Sequence, residues 1–160
     1  MKNTNPGCLS IFFPKIRKQS SSWEQPEKLY RLNKSLVSPA ELNFYKVLTS
    51  IMGTRATVQL KVRLGDIFEP NTREYIHRNK INQKHIDFLV CNAETMEPII
   101  GIELDDRSHE RQDRKDRDGL VDRVFEAAGL PLLHVRAVRE YNPDELKIAI
   151  KKALEPNNQQ

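Results

Sequence analysis

The sequence predicts an α/β domain with elements in the order helix, strand, strand, strand, helix, strand, helix. Three observations carry this reading. A capped amphipathic helix opens at Ser38-Pro39, three stretches between Thr57 and Leu104 have strand character, and an apolar strand from Pro131 is flanked by two helical patterns. The chain has 160 residues, enough for one domain with a tail.

The elements follow in order. Ser38 is an N-cap, Pro39 takes the first helical position, and Glu41 stands at the capping-box spacing. Leu42, Tyr45, Leu48 and Met52 then share a helical face until Gly53 stops it. From Thr57 to Leu64 the residues alternate, with Val58, Leu60, Val62 and Leu64 to one side and Gln59, Lys61 and Arg63 to the other, which predicts a strand with one buried face. Residues 65–84 are polar and read as a long connection with one helical turn. His85–Cys91 and Pro98–Leu104 flank a short polar loop and predict an antiparallel hairpin. Leu120, Val121, Val124, Phe125 and Ala128 sit at helical spacing before Gly129, Leu132 to Val138 suits a buried strand, and Pro143 opens a last helix with Leu146, Ile150 and Leu154 inward.

Charge divides the chain. Residues 1–38 hold seven Lys and Arg against Glu24 and Glu27, while 39–160 hold 19 basic and 20 acidic residues. The expected organisation is a basic, disordered N-terminal tail over 1–37, a domain over 38–155 and a disordered C-terminus over 156–160. The near-neutral domain excludes nucleic-acid binding by overall basicity alone. Two cysteines, Cys8 and Cys91, make neither a disulfide framework nor a four-cysteine zinc site. The apolar run Cys8–Phe13 is too short for a secretory core or a membrane span. A cytoplasmic, non-membrane protein is expected.

Acids interrupt the predicted hairpin. Asp87 breaks the apolar run Ile86–Val90, and Glu103, Asp105 and Asp106 close the second strand. A charge at a core strand costs several kcal/mol unless it is paired or binds a metal. Asp87, near the start of one strand, and Glu103, near the end of the next, fall at the same end of the hairpin, and Glu103 and Asp105 project to one face. Such carboxylates can converge on a hard divalent cation such as Mg²⁺. They can equally cap helices and pair with nearby arginines. His85 would share the face of Asp87, and His134, within an apolar strand, reads as a satisfied core histidine.

A helix with Glu41, a hairpin with Asp87, the tripeptide Glu103-Leu104-Asp105 and a charged helix together resemble the PD-(D/E)XK nuclease superfamily. More narrowly, Ser38-Pro39-Ala40-Glu41, His85-Ile86-Asp87-Phe88, Ile102-Glu103-Leu104-Asp105-Asp106-Arg107-Ser108-His109 and Ala127-Ala128-Gly129-Leu130-Pro131-Leu132-Leu133 resemble the domain of unknown function DUF2726, which is similar to very-short-patch-repair endonucleases. The resemblance spans residues 37–138. It implies a restriction-endonuclease-like three-layer core around a central mixed sheet. It also implies Mg²⁺-dependent (or Mn²⁺-dependent) hydrolysis of DNA, with Asp87, Glu103 and the Leu104 carbonyl as ligands and Glu41 completing the site through a water or a second ion. Asp105 stands where the superfamily has a lysine, as in the narrower group. His109 and Lys115 are then the candidates for proton management or positive charge. The alternative is a catalytically inactive nucleic-acid- or protein-binding module on the same fold.

Overall fold

The structure, a computed structural model, describes residues 29–71, 75–105 and 115–155, and for 75–77 and 115–118 the backbone alone. The described residues from Val37 onward form one compact unit, to which every element below belongs. These elements are α1 (Pro39–Met52), β1 (Ala56–Arg63), α2 (Leu64–Ile67), α3 (Tyr75–Asn82), β2 (His85–Asn92), β3 (Pro98–Asp105), α4 (Lys115–Ala128), β4 (Leu132–Arg136) and α5 (Pro143–Leu154). The fold is mixed α/β. Its sheet has the order β1-β2-β3-β4, antiparallel at β1–β2 and β2–β3 and parallel at β3–β4. Among the described residues no helix is long and apolar enough to cross a membrane.

Three helix ends are set by local sequence. The Ser38 hydroxyl accepts the Glu41 N–H at 3.2 Å and the Glu41 carboxylate accepts the Ser38 N–H at 2.7 Å, a complete capping box behind Pro39. At α5 the Asn142 side chain accepts the amides of Asp144 and Glu145. Gly129, with φ 69°, follows the end of α4, as expected of a C-cap glycine.

The two faces of the sheet are covered separately. Phe44 and Leu48 of α1 and Leu146 and Ile150 of α5 pack on Val58, Phe88, Val90, Ile100 and Ile102. Leu64, Ile81, Val121 and Phe125 from α2, α3 and α4 pack with Ile86, Leu89 and Cys91. Gly101 lets α4 come close, because a Cβ there would lie 2.3 Å from Phe125 Cε1. In the β2–β3 hairpin, Asn92 Oδ1 accepts the amides of Glu94 and Thr95 and fixes the turn.

Two expectations need correction. The connection over 65–84 holds more than one helical turn: α2 and the eight-residue α3 both fall there, with Leu64 and Ile81 buried. Their apolar residues are too few for a periodic signal in so polar a stretch. The second correction concerns β1, whose alternation does not run through. Val58 and Leu60 join the α1/α5 core, whereas Val62 and Leu64 join the α4 side. The change falls at Lys61, which has φ 52°. A left-handed residue inside a strand rotates the next peptide plane, resets the alternation and sharpens the twist. On β2 the sides change at the residue opposite: Phe88 and Val90 lie in the first cluster, Ile86 in the second.

Candidate functional site

The β1–β2 register runs evenly from Ala56↔Asn92 through Leu60↔Phe88 and on to Val62↔Ile86, which puts Lys61 opposite Asp87. The Lys61 ammonium donates to Asp87 Oδ1 at 2.6 Å and also to Glu41 Oε1. Glu41 arrives from α1, one helical turn before Phe44, and Phe44 meets Phe88 edge-to-face with ring centroids 5.0 Å apart. Burial of that aromatic pair therefore sets where Glu41 stands relative to Asp87, the neighbour of Phe88. The capping box holds the other oxygen of Glu41.

On its other side Asp87 reaches β3. The β2–β3 ladder is paired as far as Phe88↔Ile102, and beyond it the Leu104 N–H donates to Asp87 Oδ2 at 3.0 Å. A carboxylate here takes the place of a strand carbonyl, so the ladder opens at the site. The N–H and C=O of a strand residue share one edge, which places the Leu104 carbonyl on the same β2-facing edge. Glu103 hydrogen-bonds Asp87. Glu41, Lys61, Asp87 and Glu103 thus gather at one end of the sheet, where β1 and β3 finish and β2 begins.

Three carboxylates share one ammonium, and the proton affinities follow from that imbalance. Burial alone would raise the Glu41 carboxyl, but hydrogen bonds from Lys61 and Ser38 bring it below its ordinary value. Burial would lower Lys61, yet its bonds to Asp87 and Glu41 raise it, so it stays charged. Glu103 gets the least relief. Burial, then the Asp87 charge and hydrogen bond, push it up to about 9 against the pull of Lys61. At neutral pH Glu103 keeps its proton.

Asp105 departs from this group. It is exposed and lies 3.6 Å from His134 Nδ1, while His134 Nε2 is 2.9 Å from Asp122 of α4. His134 is therefore satisfied but not in the core, with 41% of its side chain open. Burial would lower its pKa, but the bond to Asp122 and the charges of Asp105 and Asp122 raise it. His85 is exposed and pairs in register with Arg63. His109 lies outside the described residues, as does the side chain of Lys115. Among the described residues no three His, Cys, Asp or Glu side chains are grouped so that they alone could hold a metal ion. What the structure brings together is the pair Asp87 and Glu103, beside the Leu104 main chain and the Lys61-bound Glu41.

Lys61 is the site residue that strand periodicity misplaces. It sits on the polar side of an alternating strand, where a lysine normally reads as solvated. Its partner follows only from the pairing of β1 with β2 across a long connection, whose register sets Lys61 against Asp87.

A family model described as "Protein of unknown function (DUF2726)" matches residues 33–154. No curated protein and no solved structure matches the chain.

Proposed function

The chain belongs to the DUF2726 family, and we propose that its domain is a metal-dependent nuclease of restriction-endonuclease-like architecture, related to the very-short-patch-repair group, that hydrolyses DNA phosphodiester bonds in the cytoplasm. One observation carries the reading: Asp87 and Glu103 are held side by side at a place where the ladder opens, with too little positive charge around them. The donor set suits a hard divalent cation, since carboxylate and carbonyl oxygens are the ligands Mg²⁺ prefers and Glu103 lacks a counter-charge. Asp87, Glu103 and the Leu104 carbonyl would hold it, and Glu41 would complete the site through a water or a second ion. Bound there, Mg²⁺ or Mn²⁺ supplies a water of lowered pKa and neutralises charge on the phosphate.

The residues of the chain do the rest. Lys61 holds Glu41 and Asp87 in place and lowers the Glu41 carboxyl, and the Leu104 amide fixes the second oxygen of Asp87. Asp105, in the place of the superfamily lysine, faces His134 instead. His109 and Lys115 stay candidates for handling protons or adding positive charge. The basic tail would add affinity for DNA by releasing counterions.

The second reading, a catalytically inactive nucleic-acid- or protein-binding module, is favoured by one fact: Lys61 already satisfies Glu41 and Asp87. One experiment separates the two. With millimolar Mg²⁺ or Mn²⁺, the wild type is expected to melt at higher temperature and to cleave duplex or single-stranded DNA, and Asp87→Asn to do neither. A wild type that responds to neither ion and cleaves nothing would leave only the binding module.

A further inference from the structure

Lys61 holds a conformation that its place in the sheet does not explain. It lies within β1, between the paired residues Leu60 and Val62, yet has φ 52°. A non-glycine residue in the left-handed region is under strain, and such strain persists where the surroundings over-determine it. What the strain achieves is visible: the ammonium is directed onto Glu41 and Asp87. An ammonium has three N–H groups. Two are committed, and among the described residues the third has no acceptor. About a third of the side chain is open to solvent, with 34% exposed against 15% for Glu41 and 17% for Asp87. The two carboxylates are thus covered while the cation they hold faces outward. A lysine that only neutralised them would have no need to be the open member of the group.

We propose that Lys61 is a catalytic residue of this site, anchored by Glu41 and Asp87 so that its remaining N–H donates to a non-bridging oxygen of the phosphodiester being cleaved. This rests on the nuclease reading above. In the step it serves, a water oxygen forms the new bond to phosphorus and gives up one proton to solvent, while the bond to the leaving sugar oxygen breaks. The leaving oxygen takes up a proton from solvent. Lys61 transfers no proton; it stabilises the added charge on the phosphoryl oxygens. It also gives an anionic substrate a cation at the rim of an acidic cluster that would otherwise repel it. The donor thus comes from β1, where Asp105 leaves β3 without one.

Three variants test this in the full-length protein with Mg²⁺ and a labelled DNA duplex. Lys61→Gln keeps a donor but loses the charge, Lys61→Arg keeps both, and Lys61→Gly suits the left-handed backbone and so protects the fold. Loss of a donor of this kind costs about 10²- to 10³-fold in kcat. Lys61→Gln and Lys61→Gly are expected to fall by that factor while keeping the rise in melting temperature on adding Mg²⁺, Lys61→Arg to retain part of the rate, and added ethylammonium to restore part of the Lys61→Gly rate. Cleavage by Lys61→Gln or Lys61→Gly within threefold of wild type would overturn the proposal. So would loss of the Mg²⁺-induced shift together with the rate, which would make Lys61 a support for the carboxylates alone. A wild type that cleaves no DNA fails differently: it removes the nuclease reading, and the role of Lys61 falls with it.

Discussion

Replacing Glu103 with glutamine should stabilise the metal-free domain, although the change touches the centre of the site. Glu103 keeps its proton to about 9 in the folded chain, against an ordinary value of 4.5. Because the folded value is raised, its contribution to stability is fully present below about pH 4.5 and is lost as pH rises through about 9. At pH 7 the unfolded chain has released a proton that the fold still binds, over an interval of about 2.5 pH units. At about 1.4 kcal/mol per unit, the fold is weakened by about 3 kcal/mol at most, and water reaching the site reduces this. Glutamine has the shape of the protonated acid and can donate to Asp87 in the same way, but it has no proton to lose. In EDTA, urea denaturation at several pH values should therefore give Glu103→Gln and wild type equal stability near pH 4 and a variant more stable by about 2 kcal/mol at pH 7, or roughly 5 to 10 °C in melting temperature. If the nuclease reading holds, adding Mg²⁺ should raise the wild type and leave the variant unmoved. Parallel pH profiles, or a variant less stable than wild type at pH 8, would refute the idea that Glu103 is held protonated beside Asp87.

Three further outcomes follow from the packing and the caps. Gly101→Ala should cost about 1 to 3 kcal/mol in urea titrations, because the new methyl group meets the Phe125 ring at the α4 contact; an unchanged midpoint would mean that α4 does not pack where it is described. Ser38→Ala should cost about 1 kcal/mol in urea titrations, because the Glu41 N–H loses the Ser38 hydroxyl, while the Ser38 N–H still holds the Glu41 carboxylate, so if the nuclease reading holds, cleavage should persist under conditions where the variant stays folded. His134 has a raised folded value, so its pairs with Asp122 and Asp105 stabilise below the ordinary histidine range and fade as pH rises through the raised value; exposure limits the effect to under about 1 kcal/mol, and His134→Gln should flatten that part of the stability profile near neutral pH.

The order of α1, the four strands, α4 and α5 was readable because each signal was local. Ser38-Pro39 with Glu41 is a cap wherever it occurs, and the short polar loop between two apolar runs makes a hairpin. Reading the acids was equally local: Asp87 and Glu103 stood out because a carboxylate in an apolar strand needs a partner, and the structure places them in contact. Asp105 stood out for the same reason, yet it turned to His134, since parallel pairing with β4 sets Asp105 against Arg136 and Glu103 against His134. No pattern within β3 reports which strand will lie beside it. The helix α3 and the face change in β1 were hidden for a related reason: both depend on what packs above them, Ile81 into the α4-side cluster and Lys61 onto two acids from other elements.

The backbone at Lys61 joins these points. With ordinary strand dihedrals, Val62 and Leu64 would stay on the α1 side and Lys61 would project away from it, leaving Glu41 without its cation. Asp87 would then meet Glu103 with no ammonium nearby, and two half-buried carboxyl groups with no cation in reach would weaken the fold. One left-handed residue prevents this, because the same rotation that sends Val62 and Leu64 to the α4 cluster turns the lysine onto Glu41 and Asp87. That stabilises the acids only in part. The charge still missing at Glu103 is met by a proton, and a proton is the ligand that a divalent cation can displace.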